Sequence, residues 1–252
     1  MKTVNNTILI TGGSAGIGYE LAKLFGANNK VIITGRNEAR LGEAVKKLAA
    51  LGITVEAIAG DVSNATDVDK LVAQLNAKHT DLNVVINNAG AAAGVYSLAD
   101  EGVNAFDRAQ QEMLTNYLSV IRLNEKLLPL LRKQKEAAIV NVSSIVSIVP
   151  GSRLSTYGAS KAALHSYTLS LRHALDGTAV KVFELRPPLV ATEFSSEIGG
   201  LENGIPASVV AADLKEAFET DSYDVLVGNT ADIYHLYLQS PEQAFLALNS
   251  AR

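Results

Sequence analysis

Short apolar runs recur along the chain, separated by stretches with helical periodicity. The apolar runs are Thr7–Thr11, Lys30–Thr34, Thr54–Ala59, Leu82–Ile86, Ala137–Val142 and Val180–Leu185, with a shorter one at Asp224–Val227. Between them, helix-like patterning covers Ile17–Gly26, Arg40–Leu51, Asp67–Lys78, Phe106–Arg132 and Tyr157–Leu175. The runs are apolar throughout more than alternating, as expected of parallel strands covered on both faces. Repeated strand–helix units predict an α/β chain with a doubly wound, mainly parallel seven-stranded sheet flanked by helices on both faces. Ligands in such sheets bind beyond the carboxyl ends of the strands. The residues that follow each strand therefore carry the functional reading.

The first strand runs into T-G-G-S-A-G-I-G, Thr11 to Gly18. Glycines at 12, 16 and 18 permit a turn whose backbone N–H groups approach a pyrophosphate, and the following helix adds its positive end. Ser14 and Ile17 fall in the same turn, and no Gly-Lys-Ser/Thr follows, which speaks against an ATP-type loop. An NAD site normally places Asp or Glu after the second strand to accept from the ribose hydroxyls. This chain has Gly35, Arg36 and Asn37 instead. A guanidinium there suits a 2′-phosphate, so the expected cofactor is NADP(H) in preference to NAD(H). Asp61 and Val62 follow the third strand and are candidates for adenine contacts. Asn87, Asn88, Ala89 and Gly90 follow the fourth, where small residues let a cofactor lie against backbone.

The chemistry is expected after the fifth strand. Ser143 and Ser144 stand at its end, and either hydroxyl is placed to face a substrate. Thirteen residues beyond Ser144, Y-G-A-S-K sets Tyr157 and Lys161 on one face of a predicted helix. A free phenol has a pKa of about 10, and a neighbouring cation favours its anion. Bringing it near neutrality asks roughly 4 kcal/mol from Lys161 and any cofactor charge. Asn116 lies in mid-helix, where asparagine is a mediocre choice; a packed polar bond or a water relay would account for it.

Composition narrows the class. The 252 residues are 48% hydrophobic with no break in composition, so one domain spanning 1–252 is expected. The net charge of −4 and dispersed basic residues speak against nucleic acid, and the absence of cysteine excludes disulfide and thiol chemistry. His79, His165, His173 and His235 lack a zinc-ligand spacing, so no metal is expected. No apolar run suits a bilayer and the N-terminal residues show no signal pattern, which predicts a cytoplasmic protein without membrane contact.

Taken in order, these motifs resemble the short-chain dehydrogenase/reductase family over essentially the whole chain. Thr11–Gly18 matches its T-G-x-x-x-G-I-G, Asn87–Gly90 its N-N-A-G, and its catalytic tetrad maps to Asn116, Ser144, Tyr157 and Lys161. T-G-R-N-E-x-R-L and S-P-E-Q-A-F are also similar to a subgroup of DltE-like oxidoreductases. The resemblance implies a Rossmann-like fold and a carbonyl reductase or alcohol dehydrogenase, with Tyr157 as general acid or base. It further implies that Ser144 steadies the reacting oxygen, Lys161 binds the nicotinamide ribose and Asn116 holds a relay water. A homodimer or homotetramer is implied through the two long helices. Pro187, Val190 and Thr192 fall where the family supports the nicotinamide, but Pro188 replaces its usual glycine, and a shifted wall is expected. A medium-sized, mostly neutral carbonyl or alcohol is the expected substrate. Its walls would draw on Val95, Tyr96, Ile145, Val149, Arg153, Leu189 and Phe194, with a loop or lid over 189–206. Two alternatives accompany this reading: an NADP(H)-binding sensor without turnover, favoured by Pro188, and a dehydratase or epimerase on the same fold.

Overall fold

The computed structural model describes residues 1–250. Its elements in chain order are β1 (Thr7–Thr11), α1 (Gly16–Gly26), β2 (Lys30–Gly35), α2 (Glu38–Ala50), β3 (Val55–Ala59), α3 (Ala65–Lys78) and β4 (Val84–Asn87). Then come α4 (Ala105–Met113), a π-helical turn (Leu114–Leu118), α5 (Ser119–Leu131), β5 (Ala137–Val142), α6 (Ser155–Ala174) and β6 (Val180–Arg186). The last part holds β7 (Val190–Ala191), a 3-10 segment (Glu193–Ile198), α7 (Gly200–Asn203), β8 (Ile205–Pro206), α8 (Ala207–Thr220), β9 (Asp224–Leu226), α9 (Thr230–Gln239) and α10 (Pro241–Asn249). Seven strands form one sheet in the order β3-β2-β1-β4-β5-β6-β9, and every pairing is parallel. The chain therefore has the Rossmann-like architecture that its patterning predicts.

Alternation along the strands divides two apolar layers. Ile8, Ile10, Val31, Ile33, Phe183 and Leu185 face α1, α2 and α8, where they meet Leu21, Phe25, Leu41, Leu48, Leu214 and Phe218. Leu9, Ile32, Val85, Ile139 and Val182 face the other way, onto Leu71 and Leu75 of α3 and Leu123 and Leu127 of α5. Two helix starts are capped by asparagine. Asn37 accepts from the N–H of Arg40, and Asn64 from those of Thr66 and Asp67.

Three features depart from the patterning. The predicted helix Phe106–Arg132 is interrupted, because Leu114–Leu118 winds as a π turn with Asn116 inside it. Helices α8, α9 and α10 carry no predicted counterpart. Residues 189–206, expected as a loop or lid, contain regular structure: β7 pairs with β8, and a Cβ at Gly204 would stand 2.5 Å from the N of Ala191. That glycine serves close packing. The chain order reverses between β1 and β4, and the crevice beyond those two strands is where the glycine turn and the N-N-A-G segment come together.

Candidate active site

Thr11 ties the two sides of the crevice. Its hydroxyl oxygen accepts from the N–H groups of Asn88 at 3.0 Å and Ala89 at 2.9 Å. The Asn88 amide donates to the carbonyls of Thr11 at 2.9 Å and Gly12 at 3.3 Å. Gly12 and Gly16 adopt φ of +66° and +55°, a region that disfavours any side chain. Gly18 has a different reason: a Cβ there would lie 2.3 Å from the carbonyl oxygen of Gly12. The turn can thus close tightly on the start of α1, leaving N–H groups and the helix end for an anion. Ser14 and Ile17 are half-buried in this turn, and Ser14 Oγ lies 3.8 Å from a Cβ position at Gly35. A cleft of about 480 Å³ opens over it, lined by Gly16, Tyr19, Thr192 and Leu201 among others.

Past β2, Arg36 is exposed, whereas Arg40 is engaged with Glu193 at 2.6 Å. Asn37 spends its side-chain oxygen on the α2 cap, and Glu38 opens that helix as its first-turn acid. Asp61 is also engaged: one carboxylate oxygen accepts from both the N–H and the hydroxyl of Ser63, at 2.8 and 2.7 Å. Val62 beside it is nearly buried.

Asn116, Ser144, Tyr157 and Lys161 converge at the ends of β4 and β5. Helix α6 carries Tyr157 and Lys161 one turn apart. Lys161 is 3% exposed, and its ammonium donates to the carbonyl of Val142 at 2.8 Å. Its nitrogen lies 5.7 Å from the Tyr157 ring centre and 3.8 Å from a Cβ position at Gly90. Asn116 is fully buried and bonds both ways with Ala91: its oxygen accepts from Ala91 N–H and its nitrogen donates to Ala91 C=O, each at 2.8 Å. The same nitrogen donates to Ser160 Oγ at 2.9 Å. The π turn lets one side chain stitch the β4 loop to α6.

The charges run against one sequence expectation. Burial raises the Tyr157 phenol well above its ordinary value, the negative charge of Glu112 raises it further, and the Ser144 hydroxyl opposes both through a hydrogen bond. Lys161 is lowered to about 8 by burial, with Glu184 acting the other way. With its ammonium turned to Val142, Lys161 is not among the groups that shift the phenol. The phenol remains protonated, the form a proton donor needs.

A family model described as short chain dehydrogenase matches residues 6–202. The chain belongs to that family. It is 42% identical over 193 residues to the uncharacterized oxidoreductase DltE of Bacillus subtilis (strain 168), covering 76% of this chain and 74% of that one. It is 36% identical over 191 residues to the NADP-dependent 3-hydroxy acid dehydrogenase YdfG of Salmonella typhi, covering 75% of each. Its fold matches a short chain dehydrogenase from Burkholderia cenocepacia J2315 in complex with NADP, with a TM-score of 0.83, 24% identity and 98% of both chains covered. As a member of this family the chain is an oxidoreductase.

The remaining residues of this short-chain dehydrogenase surround that centre unevenly. The Pro187 carbonyl accepts from the N–H of Ile145 at 3.0 Å, and Pro188 packs toward Gly228, whose Cβ position is 3.5 Å from Pro188 Cγ. No residue from Pro187 to Thr192 has a positive φ, so the proline is accommodated by an extended path. Val190 is buried in the β7–β8 pair, and Thr192 closes on Gly16, its methyl 3.2 Å from a Cβ position there. Phe194 is exposed with its ring centre 6.0 Å from that of Tyr157. Tyr96 bonds through its hydroxyl to Thr156, and Val95 and Leu189 are half-buried. Ile145 is nearly buried, Val149 wholly so, and Arg153 lies out in solvent; Val149 in particular offers no surface for a substrate. Two residues of the constellation escaped the sequence reading, Ser160 and Glu112, and the tie that the Thr11 hydroxyl makes to the β4 loop was not foreseen. Ser160 sits inside Y-G-A-S-K itself, and Glu112 lies one helical turn before Asn116.

Proposed function

We propose that this enzyme transfers hydride between NADP(H) and a ketone or aldehyde, or in reverse a secondary alcohol. The observation that carries this is the convergence of Tyr157, Ser144 and the buried Lys161 beside Gly90, at the crevice that the glycine turn opens onto. The cofactor fits residues present in the chain. Gly12, Gly16 and Gly18 form a cradle that side chains would fill, and exposed Arg36 is free to pair with a 2′-phosphate. NADP in the name of the Salmonella relative supports the same choice.

Gly12, Ser14, Gly16, Ile17 and Gly18 would hold the pyrophosphate, Arg36 and Asn37 the phosphorylated ribose, and Asp61 and Val62 the adenine. Asn88, Ala89, Gly90, Pro187, Val190 and Thr192 would bound the nicotinamide side. The bound cofactor supplies or accepts the hydride. Tyr157 gives its proton to the substrate oxygen as negative charge develops there, and takes one back in the oxidative direction. Ser144 donates a hydrogen bond to the same oxygen. Lys161, lowered to about 8, retains a charge near neutrality that favours the phenolate left behind and binds ribose hydroxyls. Asn116 has its amide committed to Ala91 and Ser160, which supports a positioning part for its side chain. Association into a homodimer or homotetramer belongs to this reading, with exposed Phe106, Leu118 and Leu169 on α4, the π turn and α6 as its apolar contacts.

The test is Tyr157→Phe, followed at 340 nm across a panel of ketones and aldehydes. Turnover should fall at least a thousandfold, on the order of the contribution of general acid catalysis, while NADPH binding is retained. Turnover at the wild-type rate removes Tyr157 as proton donor.

A further inference from the structure

Glu112 is a carboxylate that the mechanism above does not use. It is 1% exposed, on α4, one turn before Asn116. One oxygen, Oε1, accepts from the N–H of Ala93 at 2.8 Å, which holds the group against the loop that carries Val95 and Tyr96. The other, Oε2, is buried and has no hydrogen-bond partner among the described residues. Buried carboxylates are ordinarily paired, because an ion without a partner is strongly disfavoured away from water. Arg108 on the same helix forms no ion pair with Glu112, although its Nη1 stands 3.1 Å from a Cβ position at Gly94. Its Nε donates to the carbonyl of Val103 at 2.9 Å, and its guanidinium lies 4.8 Å over the Tyr96 ring. Lys161 is turned to Val142, and Glu197, near Gly94, carries the same sign as Glu112. Glu112 is also close enough to Tyr157 for its charge to oppose ionisation of the phenol.

We propose that the free oxygen of Glu112 is a specificity determinant that receives the ammonium of an amino alcohol or amino ketone, beside the carbon that Tyr157 serves. This rests on the oxidoreductase reading and deepens it by naming a substrate class. A cation there supplies the missing partner of Oε2. It also cancels the charge that disfavours the phenolate, so the matching substrate assists its own oxidation. A substrate carboxylate at the same place is repelled, which separates this chain from an enzyme for simple 3-hydroxy acids.

The experiment compares 1-amino-2-propanol with 2-butanol, in which a methyl replaces the ammonium, using NADP+ and the wild-type and Glu112→Gln proteins. The amide keeps an oxygen for Ala93 N–H, so the loop contact survives the change. The wild type should favour the amine at least tenfold in kcat/KM, and Glu112→Gln should bring that ratio close to one. Binding of the two compounds to NADP+-loaded Tyr157→Phe, with and without Glu112→Gln, is measured by calorimetry in parallel. The amine should bind the Tyr157→Phe protein more tightly, and the added Glu112→Gln should erase the difference. Equal binding of amine and alcohol to the Tyr157→Phe protein, or an amine preference that survives Glu112→Gln, overturns the inference while leaving the oxidoreductase reading intact. Preferential amine binding without turnover by the wild type supports the Glu112 site and counts against the hydride-transfer reading.

Discussion

At the scale of single residues, what the sequence disclosed depended on whether a residue's role was local. Tyr157 and Lys161 share a helix face, and Ser144 ends a strand, so their convergence follows from periodicity and strand ends. Glu112 was illegible for the opposite reason. It stands in a polar stretch of α4, where a glutamate ordinarily faces water, and only tertiary packing, with the loop at Ala93 among its contacts, buries it. The rise of the phenol was hidden on the same ground: burial and Glu112 are tertiary facts that periodicity does not carry. Arg36 offers a cleaner case, since its value depends on the ligand alone. Charge-assisted bonds to a 2′-phosphate contribute about 1.5–3 kcal/mol. Arg36→Ala should therefore weaken NADPH by about ten- to a hundredfold while changing NADH little, as read by fluorescence titration. Equal losses for the two cofactors remove the phosphate-pairing argument.

At the scale of elements, strands β1 to β6 were readable because uninterrupted apolar runs with short flanks admit few other placements. The break in the long helix was not, since a π turn adds one residue without changing composition. The tie between β6 and α6 was hidden too. Glu184 on β6 is fully buried, receives the hydroxyl of Ser143 at 2.5 Å, and meets His165 Nδ1 at 2.8 Å and Arg186 Nη2 at 3.0 Å. Burial by itself would raise its carboxyl, but the His165 hydrogen bond and the Arg186 charge hold it down to about 2. A carboxyl depressed by folding stabilises the native state above its unfolded value, and that stabilisation is lost as pH falls through the folded one. Glu184→Gln should therefore cost about 3 kcal/mol at pH 7 in urea unfolding. The gap from wild type should close between about 4.5 and about 2. A gap that stays constant through that window would show that the ion cluster does not set acid stability. The same carboxylate favours the charged form of Lys161, so the element that anchors the sheet also supports the cation at the site.

At the scale of the whole molecule, the matched family region ends at residue 202, yet the sheet and its apolar layer do not. Helix α8 lies beyond it and buries Val210, Leu214 and Phe218 in the layer formed by α1, β1 and β6. Its helical pattern is diluted by Ala211, Ala212 and Ala217, so periodicity alone did not mark it. Phe218 packs between Phe25 of α1 and Phe183 of β6 in tilted contacts, with ring centres 5.7 and 4.9 Å away. One ring thus joins the helix that starts at the phosphate turn to the strand that leads into Pro187, both flanks of the cofactor crevice. Phe218→Ala would remove a fully buried aromatic from a close-packed layer, at about 3–5 kcal/mol. Because both flanks lean on that ring, the loss should appear in binding as well as stability. NADPH at about a hundred times the wild-type Kd should stabilise the wild-type protein by about 2.7 kcal/mol against urea. At that same concentration it should stabilise Phe218→Ala by less. An equal NADPH increment in both proteins would mean that the crevice keeps its shape without the aromatic bridge, and that α8 supports the fold without reaching the site.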